Sequence, residues 1–517
     1  MTSASITGEV VRAAGSGEPR VPTVTPRWRR LLAAHYFWVV PGLVMLGLGR
    51  YQYLTPRLWR DEIATWSAAV RSVPELFDLL GNTDAVAGGH YLFMHYWIAV
   101  FGDSAASLRT PSLLAMAAAA ALVALTGNHL HGGAGGLAAG LLFAAIPATS
   151  RFAQEARSYA FATLAAALAT YLFVRALDRP GWGRWAWYSA ALVLVGYAHL
   201  VALLLLSGHA VAVAWLLAVD RDRRLLRWPA AAGLGIAALS PLILVARRQR
   251  TTQIGWMPVP AAHDLLPTLT MVTASTLVAG ALVGMAAAGS RRGGTRSLLV
   301  CAGGVLAPPI AGFVVSQSTP IWWPRYLLFL LPALALLAAR ALARAAIPAV
   351  VAGAVLVGLL GLPDQLAIRG PAGHEADRYP AGPWYTPPNW FGAARIVRSG
   401  QRPGDGIVYV GDSDRARSMF MLRSTMDYYL RTDAARPKDV YLDRSAAQIG
   451  AFWARECADP KACLAGTGRV WVVAVSIQDH IVAGARNDAG LAALQGYRSV
   501  QVWHPGGLTI ELVQHTG

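Results

Sequence analysis

Charge is scarce in this chain, and one kind of it is almost missing. Only 14% of the 517 residues are Asp, Glu, Lys or Arg, against 55% hydrophobic, and the mean hydropathy is +0.41. So little charge cannot cover a soluble surface of that size, which leaves a polytopic membrane protein. Lysine occurs twice, at Lys438 and Lys461, so the net charge of +17 is arginine charge. The arginines fall in short clusters between apolar segments, a pattern set by topology and anionic lipid, and nucleic-acid binding is excluded as the reason for them. Cysteine occurs three times, and Cys457-x5-Cys463 alone is weak evidence for zinc. No His/Asp cluster at ligand spacing is present either, so no obligatory metal or other cofactor is expected. A divalent cation held between adjacent acids and a substrate phosphate stays open.

What is present is a succession of apolar stretches. Residues 1–30 are rich in Gly, Ser, Thr, Val and Pro and read as a disordered cytoplasmic tail. No small-residue cleavage pattern ends the apolar stretch after them, so it reads as a span and not a signal peptide. Residues 34–52 form the first span; Arg27, Arg29 and Arg30 before it put the N-terminus inside and Asp61 outside. An external loop, 53–108, follows. Its last apolar piece, 91–101, is too short to cross and reads as an interfacial or re-entrant helix. That choice puts Glu155 on the same side as Asp61. Further spans fall near 110–126, 134–150, 160–176, two within 185–219 turning near His199, then 228–246, 271–289, 297–316, 327–345 and 346–363. The expectation is about eleven spans in a plasma-membrane protein, with the C-terminus outside.

From residue 367 the composition becomes that of a soluble domain. Short β-rich runs at Gly406–Val410, Asp439–Leu442, Val470–Val475 and Leu508–Val513 alternate with helical patterns, as in a small extracytoplasmic α/β domain. Cys457 and Cys463 lie in it, in an oxidising compartment where a disulfide is plausible.

The stretch Leu58-Trp59-Arg60-Asp61-Glu62 organises the functional reading. Two acids flanked by aromatics at a membrane boundary suit an aqueous-facing site, with Asp61 the candidate base. Taken alone they better suit a solvated loop and the start of a short amphipathic helix, Glu62 to Leu80, where acids favour the macrodipole. Outside the membrane the expected topology gathers Asp61, Glu62 and Glu155, the histidines His90, His95 and His199, and Arg60, Arg157, Arg247, Arg248 and Arg325. Positive charge is disfavoured on the translocated side, so Arg247, Arg248 and Arg325 call for a reason. The phosphate of a membrane lipid is one, and snorkelling to lipid head groups is the other. His199 equally fits an interhelical packing role, and Trp322-Trp323 an interfacial belt. These groups suit displacement at an anomeric carbon: a carboxylate takes the proton of an incoming hydroxyl while cations hold the departing phosphate.

Asp61-Glu62, Gly89-His90-Tyr91, Ser107-Leu108-Arg109-Thr110-Pro111-Ser112, Arg151-Phe152-Ala153-Gln154-Glu155-Ala156-Arg157-Ser158-Tyr159-Ala160 and Pro324-Arg325-Tyr326-Leu327-Leu328 follow one another in order. As a set they resemble the motifs of bacterial GT-C glycosyltransferases of the protein O-mannosyltransferase-like group, over residues 35–345. The resemblance implies a GT-C-like catalytic domain over 31–366 that uses a polyprenyl-phosphate-linked sugar. In it the first-loop acid, Asp61, is the base, and Glu155 is the acid of the second external loop. Arg325, Arg247, Arg248 and Arg157 are then candidates for the donor phosphate, and His90, Tyr91, His199, Tyr326 and Trp323 for substrate. The usual His-Pro-Pro is here His90-Tyr91-Leu92. Glu155 in a Gln-Glu-Ala-Arg run is associated with mannosyltransferase-like members, which makes inverting mannosyl transfer to a glycan, lipoglycan or protein hydroxyl the expected reaction. The alternatives are a polyprenyl-phosphate-arabinose arabinofuranosyltransferase and, from another class, a lipid-linked saccharide flippase, which would want internal repeats and charges deep in its spans; a non-catalytic scaffold would leave Asp61 and Glu155 unexplained.

Overall fold

The computed structural model describes residues 27–292, 294–371, 373–374, 388–410, 415–475, 479–484 and 489–516. The expected tail, apart from its last four residues, and much of the expected junction after residue 367 lie outside them. Among the described residues, five helices are long and apolar enough to cross a membrane: Ala105–His131, Tyr159–Asp178, Leu200–Asp220, Thr295–Ser316 and Pro324–Leu342. Two bent pairs, Gly133–Ala145 with Pro147–Ala153 (67°) and Arg223–Ala238 with Ser240–Arg248 (54°), bring the number to as many as seven. Both bends sit where a proline opens the second helix, at Pro147 and Pro241, since proline cannot donate to the preceding turn. Thr276–Gly289 and Ile347–Leu360 are apolar but only 14 residues each. By length and composition, five to seven helices among the described residues therefore qualify as spans where about eleven were expected. The chain is a multi-pass membrane protein.

Two local expectations can be compared directly with the helices. The apolar run 185–219 breaks where predicted: Trp182–Ala198 ends on His199, which adopts extended backbone before the next helix. Helix Gly88–Phe101 has 14 residues, about 21 Å at 1.5 Å per residue, against roughly 30 Å of hydrocarbon. The single helix expected over 62–80 is two, Arg60–Ala69 and Val73–Asn82. Ser72 starts the second, with its hydroxyl and amide both bonded to Glu75 (2.7 and 3.0 Å) and Pro74 in the first turn. That capping box stops the first helix.

The C-terminal region is a mixed sheet with helices on it. Strands β1 (Gly406–Val410), β2 (Lys438–Asp439), β5 (Arg469–Ala474), β6 (Tyr497–Trp503) and β7 (Thr509–His515) lie in the order β2-β1-β5-β7-β6, with β3 (Leu442–Arg444) and β4 (Arg455–Glu456) a separate hairpin. β1 runs parallel to β2 and β5, while β7 is antiparallel to both β5 and β6. Side chains alternate as a strand requires. Ile407, Tyr409, Trp471 and Val473 face helices Trp390–Gly400 and Arg415–Leu430, and Val408, Val470 and Val472 face Leu464, Leu491 and Leu494. The run expected over 439–442 is divided between β2 and β3, and β6 was not anticipated. Cys457 and Cys463 are joined as a disulfide; Cys301 is free and buried.

This region sits against the first long loop. Tyr428 packs edge-on to Trp66 at 5.2 Å, and Arg431 pairs with Asp103 at 2.8 Å. Helix Arg60–Ala69 is thus clamped between the sheet domain and the membrane helices, through Ile63, Trp66, Met94 and Leu108.

Candidate active site

Helix Arg60–Ala69 opens with Trp59 as its N-cap and two acids in its first turn. Consecutive helical residues point about 100° apart, so Asp61 and Glu62 cannot face the same surroundings. Glu62 turns inward and is fully buried. Arg109 grips it with two bonds of 2.7 Å, Ala156 N–H donates at 3.0 Å, and the N-cap amide of Trp59 donates at 3.3 Å. The same guanidinium donates to the carbonyls of Tyr53 (2.6 Å), Pro56 (2.8 Å) and Arg57 (3.2 Å). Burial alone would raise the Glu62 carboxyl, but the charge and hydrogen bonds of Arg109, with His374 beside it, hold it well below the usual carboxylate range.

Glu155 is equally buried, between Arg151 (2.5 Å) and the indole N–H of Trp59 (2.9 Å). Its burial pushes the carboxyl up, against the opposing charge of Arg151. Neither Glu62 nor Glu155 reaches open space.

Asp61 does. It lines a cavity of about 450 Å³ together with Arg60, Asp84, Arg157, Arg247, Arg250 and Arg325. Arg325 Nη1 donates to Asp61 Oδ2 at 3.1 Å, and its guanidinium lies 5.1 Å over the Trp59 ring. One indole therefore carries Arg325 over its ring and binds Glu155 through its N–H edge. Opposite stands Asp84, in left-handed backbone at φ +58°, a conformation that Asp tolerates better than most residues. It accepts from Tyr91 Oη and from Gln253 Nε2, and Arg157 Nη1 in turn donates to Tyr91 Oη at 3.1 Å. The apolar wall comes from Leu200, Val201, Ile243, Ile254 and Ile321.

The other predicted site residues divide in the same way. His199 and Tyr326 line the cavity with rings 4.7 Å apart, and Tyr159 stacks on Tyr326 at 6.2 Å. Trp323 stands behind the wall, edge-on to the lining Trp256 at 5.0 Å. Arg248 is exposed but does not line the cavity, unlike Arg247. Tyr91 does not line the cavity, and its hydroxyl bonds Asp84 and Arg157, which do. His90 is buried against Phe161 at 5.4 Å, and burial lowers it to about 3, so it is neutral. Among the described residues no three or more His, Cys, Asp or Glu side chains come together as a metal set. Sequence reasoning missed Asp84, Gln253, Trp256, Phe452 and Trp453 as lining residues. Only Asp84 left a trace, as an acid just ahead of Gly88-Gly89-His90-Tyr91.

The chain as a whole resembles known proteins. The family model described as dolichyl-phosphate-mannose-protein mannosyltransferase matches residues 89–246. ArnT from Cupriavidus metallidurans, in a crystal structure bound to undecaprenyl phosphate, superposes with a TM-score of 0.60 at 13% identity, over 93% of this chain and 98% of that one. Its apo form does so with a TM-score of 0.60 at 15% identity, over 92% and 98%. The chain carries the GT-C fold. The mycobacterial arabinofuranosyltransferase AftD gives a TM-score of 0.44 at 16% identity, covering 94% of this chain but 41% of its own. No curated protein sequence matches. The matched segment and the shared fold indicate a membrane glycosyltransferase of the GT-C type, and helices Ala105–His131 and Tyr159–Asp178, with all of Gly88–Phe101 but its first residue, lie within the matched residues.

Proposed function

We propose that this protein transfers mannose, with inversion, from a polyprenyl phosphate to a hydroxyl of a cell-envelope acceptor on the outer face of the plasma membrane. The observation that carries the reading is the Asp61–Arg325 pair inside a cavity that also holds Arg157, Arg247 and Arg250. Asp61 takes the proton of the acceptor hydroxyl, the new bond forms from that oxygen to the anomeric carbon, and the bond to the phosphate oxygen breaks with its electrons left on phosphate. Guanidinium groups bind that phosphate and stabilise its growing charge. A phosphate needs little protonation to leave, so one base suffices where glycosidases use two carboxylates. The apolar wall of Leu200, Val201, Ile243 and Ile321 suits the first isoprene units.

Glu62 and Glu155 take a different part in this reading from the one their motifs suggested: buried and saturated with bonds, they position Trp59 and the first helical turn. The mannose assignment is supported by the family description of residues 89–246; undecaprenyl phosphate as carrier is supported by the ligand of the ArnT structure. The purified full chain in detergent, given undecaprenyl-phosphate-mannose or undecaprenyl-phosphate-arabinose with envelope glycan extract, tests it by product mass. Pentose incorporation with no hexose would overturn the sugar; consumption of neither donor would overturn the reaction. The outer-face assignment rests on the arginine distribution and predicts that Thr251→Cys is labelled by an impermeant reagent in intact cells while Ser290→Cys is protected.

A further inference from the structure

Part of the cavity wall comes from neither the membrane helices nor the first long loop. Between β3 and β4 the chain makes a hairpin loop, 445–454, that leaves the sheet domain and reaches the first long loop. Arg71 Nη2 donates to Ala451 O at 2.5 Å, and Asn82 Nδ2 donates to Gly450 O at 3.1 Å. Gly450 sits at φ +57°, where an added Cβ would lie 3.1 Å from the Asp78 carbonyl oxygen, so only glycine closes this contact comfortably. Phe452 supplies the packing, edge-on to Tyr91 at 6.4 Å and under the Arg71 guanidinium at 5.8 Å. Its neighbour Trp453 lines the same cavity as Asp61 and Asp84, yet stays 46% exposed.

We infer that Trp453 is the stacking platform for the acceptor, and that the acceptor is a saccharide. This rests on the transferase reading above. A tryptophan left half-open beside a neighbour that does the packing is not needed to hold the loop. An indole face matches the C–H face of a sugar ring, and the carboxylates of Asp61 and Asp84 across the same space accept from its hydroxyls. The lipid chain of a donor comes from the helices that carry Leu200 and Ile243. What meets the wall supplied by the sheet domain therefore comes from the aqueous side. The sheet domain, by this account, selects the acceptor, and Arg71, Asn82 and Gly450 are positioning residues for Trp453.

The test separates acceptor from donor. In transfer assays on the full chain, Trp453→Ala should raise the KM for a short oligomannoside about fivefold to tenfold, the scale of one aromatic stacking contact. Trp453→Phe should recover most of it, and undecaprenyl phosphate affinity should stay within about twofold. Asn82→Ala should move acceptor KM in the same direction by less. Independently of turnover, saturation-transfer NMR should show an oligomannoside or oligoarabinoside bound to wild type and lost in Trp453→Ala. If the saccharides bind and lose contact in that variant while no donor is ever consumed, the platform stands and the transferase reading falls. Unchanged acceptor KM and unchanged saccharide contact, an equal loss of undecaprenyl phosphate binding, or preferred binding of a Ser/Thr-rich peptide over both saccharides would each overturn the inference.

Discussion

Asp61 and Glu62 are neighbours on one helical turn, both acids, both beside arginine, and they have opposite surroundings. Glu62 is sealed, with every lone-pair direction engaged by Arg109, Ala156 and Trp59. Asp61 has an 18% exposed side chain and shares its cavity with a set of guanidinium groups. Access also separates Glu155 from Asp84, although each has a partner on both oxygens: Glu155 is fully buried between Arg151 and Trp59, and Asp84 lines the cavity beside Tyr91 and Gln253. A sealed acid holds geometry; an acid that lines a cavity can exchange a proton or partner with a substrate. On the proposed reaction the adjacent pair thus combines a fixed anchor with the base, and the anchor aims the base.

The sharpest way to break the comparison is at the anchor. Arg109→Met leaves Glu62 buried without its partner and should cost about 3–5 kcal/mol of stability, read as a lowered unfolding midpoint in detergent with loss of folded yield; Glu62→Gln should do the same from the other side. A normal midpoint in both would mean that the ion pair does not hold the loop. Next comes the acid that lines the cavity: Asp61→Asn, which keeps the size of the side chain, should lower the midpoint less than Arg109→Met does, because Asp61 is partly exposed where Glu62 is sealed, yet cut turnover a hundredfold or more, the general-base scale. Near-normal turnover there would move the base elsewhere, with Asp84 the next acid to test. Arg325→Gln should weaken both donor affinity and turnover about tenfold, in keeping with the loss of one charged hydrogen bond, and Lys should restore only part of a forked contact. If affinity is untouched by that change and by Arg247→Gln, the phosphate is held by other residues.

The smallest effect is a pH slope. Glu62 sits below the usual carboxylate value near 4.5 because Arg109 and His374 outweigh its burial. Its contribution to stability is therefore complete above that value and lost as pH falls below it. Wild type should lose melting temperature on acidification through pH 4 faster than Glu62→Gln, and identical slopes would argue that the pair contributes nothing on folding.

Much of the helical plan was legible in the sequence because apolar length and arginine clusters carry it; the turn at His199 was read from length alone. Where helices stop was harder, since Ser72-Val73-Pro74-Glu75 acts through a local capping box inside an otherwise amphipathic stretch. The span number differs because apolar runs counted as spans form helices short of the length needed to cross, Trp182–Ala198 with 17 residues and Thr276–Gly289 and Ile347–Leu360 with 14 each. At the site, Asp61, Arg157, Arg325 and Tyr326 stood in recognisable motifs. The partition of the acids did not show, because Glu62 meets Arg109 across 47 residues and Asp61 meets Arg325 across 264. Asp84 depends on a backbone conformation that no spacing announces. Trp453 depends on a contact across 368 residues, between Asn82 and Gly450.

The collar of carbonyls around Arg109 also binds an early loop to a later helix. Tyr53, Pro56, Arg57 and Glu62 all close on one side chain at the head of helix Ala105–His131. The segment bearing Asp61 therefore takes its shape from a residue that follows it in the chain, and Ala156, Arg325 and Tyr428, later still, complete its surroundings.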